Sequence, residues 1–313
     1  MEWGNRIGRR LKLRDLHVLL AVVQCGSMTK AARQLSVSNP VVTKAVADLE
    51  HTLGVRLLER NPHGVDLTEF GHALLKRSHS VFDELRQCVK EIEFIADPTA
   101  GEVRIGGTAP HIASFVPTVV ERLHRRYPRM VVHATSTSAE SLLRDLDERN
   151  LDLLILRKFG PFTEERVDFE VLCESPNFVA AGASNPWTRR RHVELPELID
   201  ELWVLPPTGT RFGSIVRDIF AAKGLSYPRA AVVALGLEMT NNLLRTGRYL
   251  TIHPESVLTF PAKHPFVRKV PVELPAVGGP IGILTLKNRA LSPAAQLFIN
   301  CAREVVKPLG GRK

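Results

Sequence analysis

Residues 38–50 read SNPVVTKAVADLE, and Asn39, Thr43, Lys44 and Ala47 share one side of the helix this stretch predicts. An amide, a hydroxyl and an ammonium on one small-residue face can hydrogen-bond base edges and phosphates. Small neighbours let such a helix backbone approach another surface closely. Further along, VRLLERNPHGVDLTEFG carries Arg56, Arg60 and His63, placed to touch a nucleic-acid backbone or minor groove. Ser27, Thr29, Ser38 and Pro40, at the starts of neighbouring helices, complete this candidate set. The chemistry is recognition of a polyanion, with no covalent bond made or broken.

Motifs for covalent chemistry are missing. The sequence has no GxSxG elbow, no glycine-rich loop ending in Lys-Ser/Thr and no HExxH. Gly106-Gly107-Thr108 after a strand is too little for a dinucleotide site. Cys25, Cys88, Cys173 and Cys301 are far apart, with no CxxC pair and no histidine cluster at metal spacing, so no metal or other cofactor is expected. Reduced thiols in a cytoplasmic protein are the simplest reading. An enzyme with a basic N-terminal extension is the competing class, and the missing nucleophile–base motif argues against it.

The elements that would position the recognition residues are legible. Leu13, Leu16, Leu19, Leu20 and Val23 form one stripe of a helix that Gly26 ends. Ser27 is expected to cap a short second helix with Met28, Ala31, Ala32 and Leu35 inward. After a tight turn at Ser36-Val37, Ser38 is expected to cap a third helix. Pro40 sits in its first turn, Val42, Val46, Leu49 and Leu53 form its buried stripe, and Gly54 ends it. A short helix, a tight turn and a helix with a small polar face make a helix-turn-helix. Two extended runs around Asn61-Pro62-His63-Gly64 add a hairpin wing.

Composition fits this chemistry. The chain has 313 residues, enough for two or three domains, and 42 Lys+Arg against 33 Asp+Glu give a net charge of +9. Near the N-terminus, RRLKLRDLHVLLAVVQC imitates a secretory signal. Arg14, Asp15 and His17 interrupt it, and Val18 to Val23 is too short for a signal core. No later run is apolar enough to span a bilayer.

A long helix follows, capped by Thr68, with Glu69 at its positive end and Pro98 as its stop. Leu74, Ser78, Val81, Leu85, Cys88, Ile92 and Ile95 alternate at spacings of four and three, a heptad seam widened by Leu75, Phe82 and Val89. From Glu69 to Ala96 such a helix is about 40 Å long at 1.5 Å per residue, too much apolar face for a small N-terminal domain to cover. A dimer helix is expected. Beyond Pro98-Thr99-Ala100-Gly101 the pattern becomes strands alternating with helices, which predicts a parallel α/β sheet. Pro293 to Val306 is the last helix.

GSMTKAARQLSVSNPVVTKAVADLEHTLGVRLLER, followed by LTEFGHALL, resembles the DNA-binding domain of LysR-type transcriptional regulators, without gaps from about Leu13 to Leu75. Ala31-Ala32, Ser38-x-Pro40, Leu49-Glu50, Leu53-Gly54, Leu57 with Glu59-Arg60, and Leu67-Thr68-x-x-Gly71 stand at that family's spacing. Asn39 stands where the family usually has Gln and Thr43 where it usually has Ser. The resemblance implies an α+β multidomain chain. Residues 1–67 would be a winged helix-turn-helix and residues 68–97 a dimerisation linker helix. A two-lobed α/β effector domain of periplasmic-binding-protein type would follow, with lobe I at 102–168 and 276–307 and lobe II at 169–275. It also implies a homodimer or homotetramer on double-stranded promoter DNA, tuned by a small-molecule effector, with RNA polymerase as a further partner and no membrane.

In open α/β sheets ligands bind beyond the carboxyl ends of strands. Thr108, Ser136, Ser138, Thr208, Thr210, Arg211 and His253 stand there, and they converge if the two-lobed architecture holds. Hydroxyls and an arginine suit a carboxylate or polyhydroxy acid, so a small organic anion is the expected effector. Thiol sensors of this family keep a reactive cysteine pair in the effector domain, whereas Cys173 and Cys301 lack near partners in sequence. A solute-binding protein without regulatory role conflicts with the winged helix.

Overall fold

The structure is a computed structural model and describes residues 9–61, 64–158, 166–260 and 266–309. Two compact units divide the chain, residues 1–86 and 87–313.

In the first unit, α1 (Leu13–Cys25), α2 (Met28–Gln34) and α3 (Asn39–Leu53) enclose a core that includes Leu16, Leu19, Val22, Ala31, Val42, Val46 and Leu49. Gly26 and Gly54 end α1 and α3 with φ of +63° and +72°, a region where only glycine is unstrained. A hairpin follows, β1 (Leu58–Asn61) antiparallel to β2 (Gly64–Leu67). Its base is fixed by Glu50, whose Oε1 accepts from the backbone N–H groups of Leu57 at 2.7 Å and Leu58 at 3.2 Å. Thr68 caps the next helix, α4 (Glu69–Ala96), by accepting from Gly71 N–H at 3.0 Å. Leu74 and Phe82 of α4 lean on this first core.

The second unit holds two five-stranded sheets. In chain order its elements are β3 (Ala100–Gly107), α5 (Ala109–Ala113), α6 (Phe115–Arg126), β4 (Arg129–Ser136), α7 (Ala139–Asp147), β5 (Leu153–Arg157), β6 (Val167–Cys173) and β7 (Asn177–Gly182). Then come β8 (Leu202–Leu205), α8 (Arg211–Ala221), β9 (Ala230–Val233), α9 (Leu237–Arg245), β10 (Tyr249–Pro254), α10 (Ser256–Thr259), β11 (Val267–Lys269), β12 (Ile281–Leu286) and α11 (Pro293–Val306). One sheet runs β4-β3-β5-β12-β6, the other β11-β7-β10-β8-β9. Each lobe has its own core, around Phe115, Val119 and Phe298 in one and Trp203, Ile219 and Phe220 in the other.

Two expectations change here. Both sheets are mixed: β12 runs antiparallel to β5 and β6, and β7 antiparallel to β10 and β11. The return segment enters lobe I against the grain of the βαβ units, which strand–helix alternation cannot reveal. The lobe boundary also moves. β6 pairs with β12 in the first sheet, so the crossover falls at 174–176 and not at 168/169. Val167-Asp168-Phe169-Glu170-Val171 alternates apolar and charged residues, which marks a strand but not the sheet it joins; pairing with the distant β12 decides that.

Gly106 and Gly107 are packing glycines. A Cβ on Gly106 would lie 2.7 Å from Leu142, Leu151 and Leu154, so it lets α7 sit close to the sheet. Asp152 and Arg289 form a buried ion pair at 2.9 Å beneath the same lobe, and Lys90 of α4 reaches Asp152 at 3.6 Å. No helix among the described residues is long and apolar enough to cross a membrane.

Candidate nucleic-acid interface and ligand cleft

The polar face of α3 is built as its spacing predicts, with Asn39, Pro40, Lys44 and Ala47 exposed. Thr43 differs. It is half-buried, and its hydroxyl is turned to Met28 Sδ of α2 at 3.8 Å, which ties the two helices together. Ser27 and Ser38 occupy the N-cap positions of α2 and α3 with extended backbone, but neither hydroxyl accepts a cap hydrogen bond. This corrects the expected capping and leaves both hydroxyls to other partners. Thr29 and Arg56 are exposed. The backbone of Arg60 lies in β1, its side chain is not described, and His63 lies outside the described residues. The wing docks on the α1–α2 turn through Val65 N–H to the Gly26 carbonyl at 3.3 Å.

Along α4 the expected seam divides. Ser78 is buried, while Val81, Leu85, Cys88, Val89, Ile92 and Ile95 face outward, Leu85 45%, Ile92 61% and Ile95 74% exposed. Phe94 leans on the core of lobe I.

In the second unit, a cavity of about 500 Å³ opens between the lobes, at the carboxyl ends of the strands. Six of the seven expected residues line it: Thr108, Ser136, Ser138, Thr210, Arg211 and His253. Thr208 does not. The Pro207–Thr210 turn, closed by Thr210 N–H to the Pro207 carbonyl at 3.0 Å, carries it outward to solvent. Several of the six have other work. Ser138 caps α7, and Thr210 caps α8 by accepting from Gly213 N–H at 3.1 Å. Arg211 Nε sits 3.4 Å from Glu140 Oε1, an ion pair across the cleft. His253 Nε2 is 3.3 Å from Asn241 Oδ1.

Among the lining residues that the sequence reading did not name are Arg157 and His111. Arg157 is the last residue of β5, one position beyond the apolar run LDLLIL; a charge ending a fully buried strand was the available signal. His111 lies one helical turn from Thr108, and its Nδ1 is 2.7 Å from Thr108 Oγ1. Burial, and then the Arg157 charge, pull its pKa down to about 3.

Burial pushes the Cys173 thiol up to about 11 and raises that of Cys301, which leaves little thiolate for oxidation at neutral pH. Among the described residues no group of His, Cys, Asp and Glu could hold a metal ion.

Comparison with known proteins identifies both domains. The model of the bacterial regulatory helix-turn-helix protein, lysR family, matches residues 13–72, and that of the LysR substrate binding domain matches residues 96–307. The chain is 25% identical to the Escherichia coli HTH-type transcriptional regulator YdcI over 97% of its length and 99% of the relative's. It is 27% identical to the Bacillus subtilis transcriptional dual regulator GltC over 92% of its length and 95% of the relative's. Its fold resembles the crystal structure of CbnR, a LysR family transcriptional regulator, with a TM-score of 0.64, 23% identity and coverage of 95% of this chain and 100% of that one.

Proposed function

The chain belongs to the LysR family of bacterial transcriptional regulators, and from that premise we propose how its two units divide the work. It is a DNA-binding transcriptional regulator with an effector-binding domain. In the proposed reading, two copies pair along α4 and present two α3 helices to half-sites about one DNA turn apart. Asn39 and Lys44 meet base edges and phosphates, helped by Ser27, Thr29, Ser38 and Arg56, with Arg60 and His63 of the wing on the backbone. A small organic anion binds between the lobes and shifts the pairing of dimers, by way of tetramers, to change contacts with promoter DNA and RNA polymerase. The protein works in the cytoplasm.

The observation that carries this reading is the cleft, lined from both lobes and holding Arg157 and Arg211. A ligand that touches both lobes binds their closed arrangement better than an open one, and only such a difference shifts an equilibrium. A gel-shift titration with DNA flanking the protein's own gene tests it. Sequence-preferring binding that an organic acid alters is expected; equal binding to any DNA of that length, acid or no acid, rejects it.

A further inference from the structure

Arg157 ends a strand of otherwise apolar residues, lines the cavity and is 2% exposed. Its Nη1 donates to Asn177 Oδ1 at 3.0 Å and its Nη2 to the Ser175 carbonyl. Both acceptors are neutral, and among the described residues no carboxylate lies within ion-pair distance of this guanidinium. Burial pulls its pKa down to about 10, so it stays charged at neutral pH. The exposed Glu174 carboxylate partly opposes that shift from beyond pairing distance, so the buried cation has no paired anion and is unfavourable until one completes it. The other charged Arg, Lys, Asp and Glu side chains lining the cavity, Arg211 and Glu140, pair with each other, so one positive charge remains.

His111 adds a second anchor. It is 3% exposed, and among the described residues its buried Nε2 has no hydrogen-bond partner. The Thr108 hydroxyl makes no helix-cap bond and is left to serve Nδ1. With that hydroxyl donating, the proton of the neutral ring resides on Nε2, which becomes a donor. Around these two anchors the walls are largely apolar, among them Pro110, Phe212, Leu235, Leu237 and Ile252.

We propose that the effector is a monocarboxylic acid with an apolar body, aromatic or branched aliphatic, whose carboxylate pairs with Arg157 and accepts from His111 Nε2. The inference rests on the cleft being the effector site. The cavity's hydroxyls are mostly engaged, Ser138 and Thr210 as helix caps and Thr240 and Thr251 on the carbonyls of Gly236 and Val204, so a polyhydroxy acid would find few partners, and a dicarboxylate would bring a charge with no cation left for it.

Calorimetric titration of the full-length protein with benzoate, 4-methylpentanoate, succinate, gluconate and benzamide tests this. One of the two monocarboxylates should bind at least about tenfold tighter than the other three compounds. Its affinity should be flat from pH 6 to 8.5, because neither anchor titrates there. Arg157→Met should weaken it roughly 30-fold or more. Since Arg157 also holds the crossover, His111→Met is the second variant: a structural histidine would only lose stability, whereas here the unliganded melting temperature should rise while affinity falls about fivefold. Succinate or gluconate binding as tightly overturns the inference and leaves the organic-anion reading intact. Benzamide matching benzoate, or no binding by any of the four acids, overturns both. Unchanged affinity in His111→Met removes the histidine from the recognition set and overturns the two-anchor geometry.

Discussion

Lys44 and Asn39 share a helix face but should fail differently when replaced. An ammonium meeting phosphate contributes to binding on any sequence, so Lys44→Ala should weaken specific and non-specific DNA alike and lower the salt slope by about one. An amide meeting a base edge contributes only on the right sequence, so Asn39→Ala should cost about 1–3 kcal/mol on the operator and little elsewhere. Competition gel shifts at two salt concentrations separate the two; equal loss on both DNAs for Asn39→Ala removes it from base contact. His111 makes a prediction about stability. Its pKa falls from 6.5 to about 3 in the folded chain, so between those values the unfolded chain takes a proton that the folded one refuses. Stability is therefore unaffected above about pH 6.5 and declines as pH falls, by about 1.4 kcal/mol per unit at most. Denaturant titrations from pH 7.5 to 5 should show a slope that His111→Met reduces by roughly that amount.

Among the elements, α4 is under the greatest unmet demand. Its N-terminal half rests on the first core through Leu74 and Phe82, and Phe94 rests on lobe I, yet Leu85, Val89, Ile92 and Ile95 between and beyond them stay in water. Covering a Leu or Ile side chain releases about 1.5–3 kcal/mol, so a second α4 along this seam is a strong partner. Leu85→Glu with Ile92→Glu should convert dimers to monomers in sedimentation velocity and weaken DNA binding, while circular dichroism keeps its helical signal. A double variant that still sediments as a dimer would place the pairing surface elsewhere. The buried Asp152–Arg289 pair belongs to this scale too, because it fixes the strand end against which Lys90 of α4 closes. Asp152→Ala takes away the carboxylate that faces the buried Arg289 guanidinium and should cost about 3–5 kcal/mol in urea unfolding.

At the scale of the whole molecule, the proposed function has two ligands act on one equilibrium, and linkage then makes their effects reciprocal. If a bound acid changes operator affinity by some factor, the operator must change affinity for the acid by the same factor. Fluorescence anisotropy on labelled operator and calorimetry on the protein–DNA complex measure the two sides, and a factor that Arg157→Met leaves unchanged would mean that the acid acts outside the proposed cleft. The Arg211–Glu140 pair spans that cleft at 3.4 Å with both side chains partly in water, so it contributes at most about 1 kcal/mol to closure. Closure is thus left to the ligand.

The sequence by itself determined α3 and the residues on its exposed face. The stripe of Val42, Val46 and Leu49, Pro40 in the first turn and Gly54 at the end make α3 a local matter, settled by period and chain chirality. The same holds for α4, whose ends fall at Glu69 and Ala96 as its cap and stop predict, and for α11 at Pro293–Val306. Six cleft residues were legible because ligands gather at strand ends in open α/β sheets. Only the tertiary structure decided what depends on distant chain: the antiparallel return of β12, the assignment of β6 to the first sheet, and the charge left on Arg157. Whether a guanidinium is buried, and whether a carboxylate stands beside it, depends on residues far apart in sequence. No period records that, because burial and Coulomb energy act through space and not along the chain.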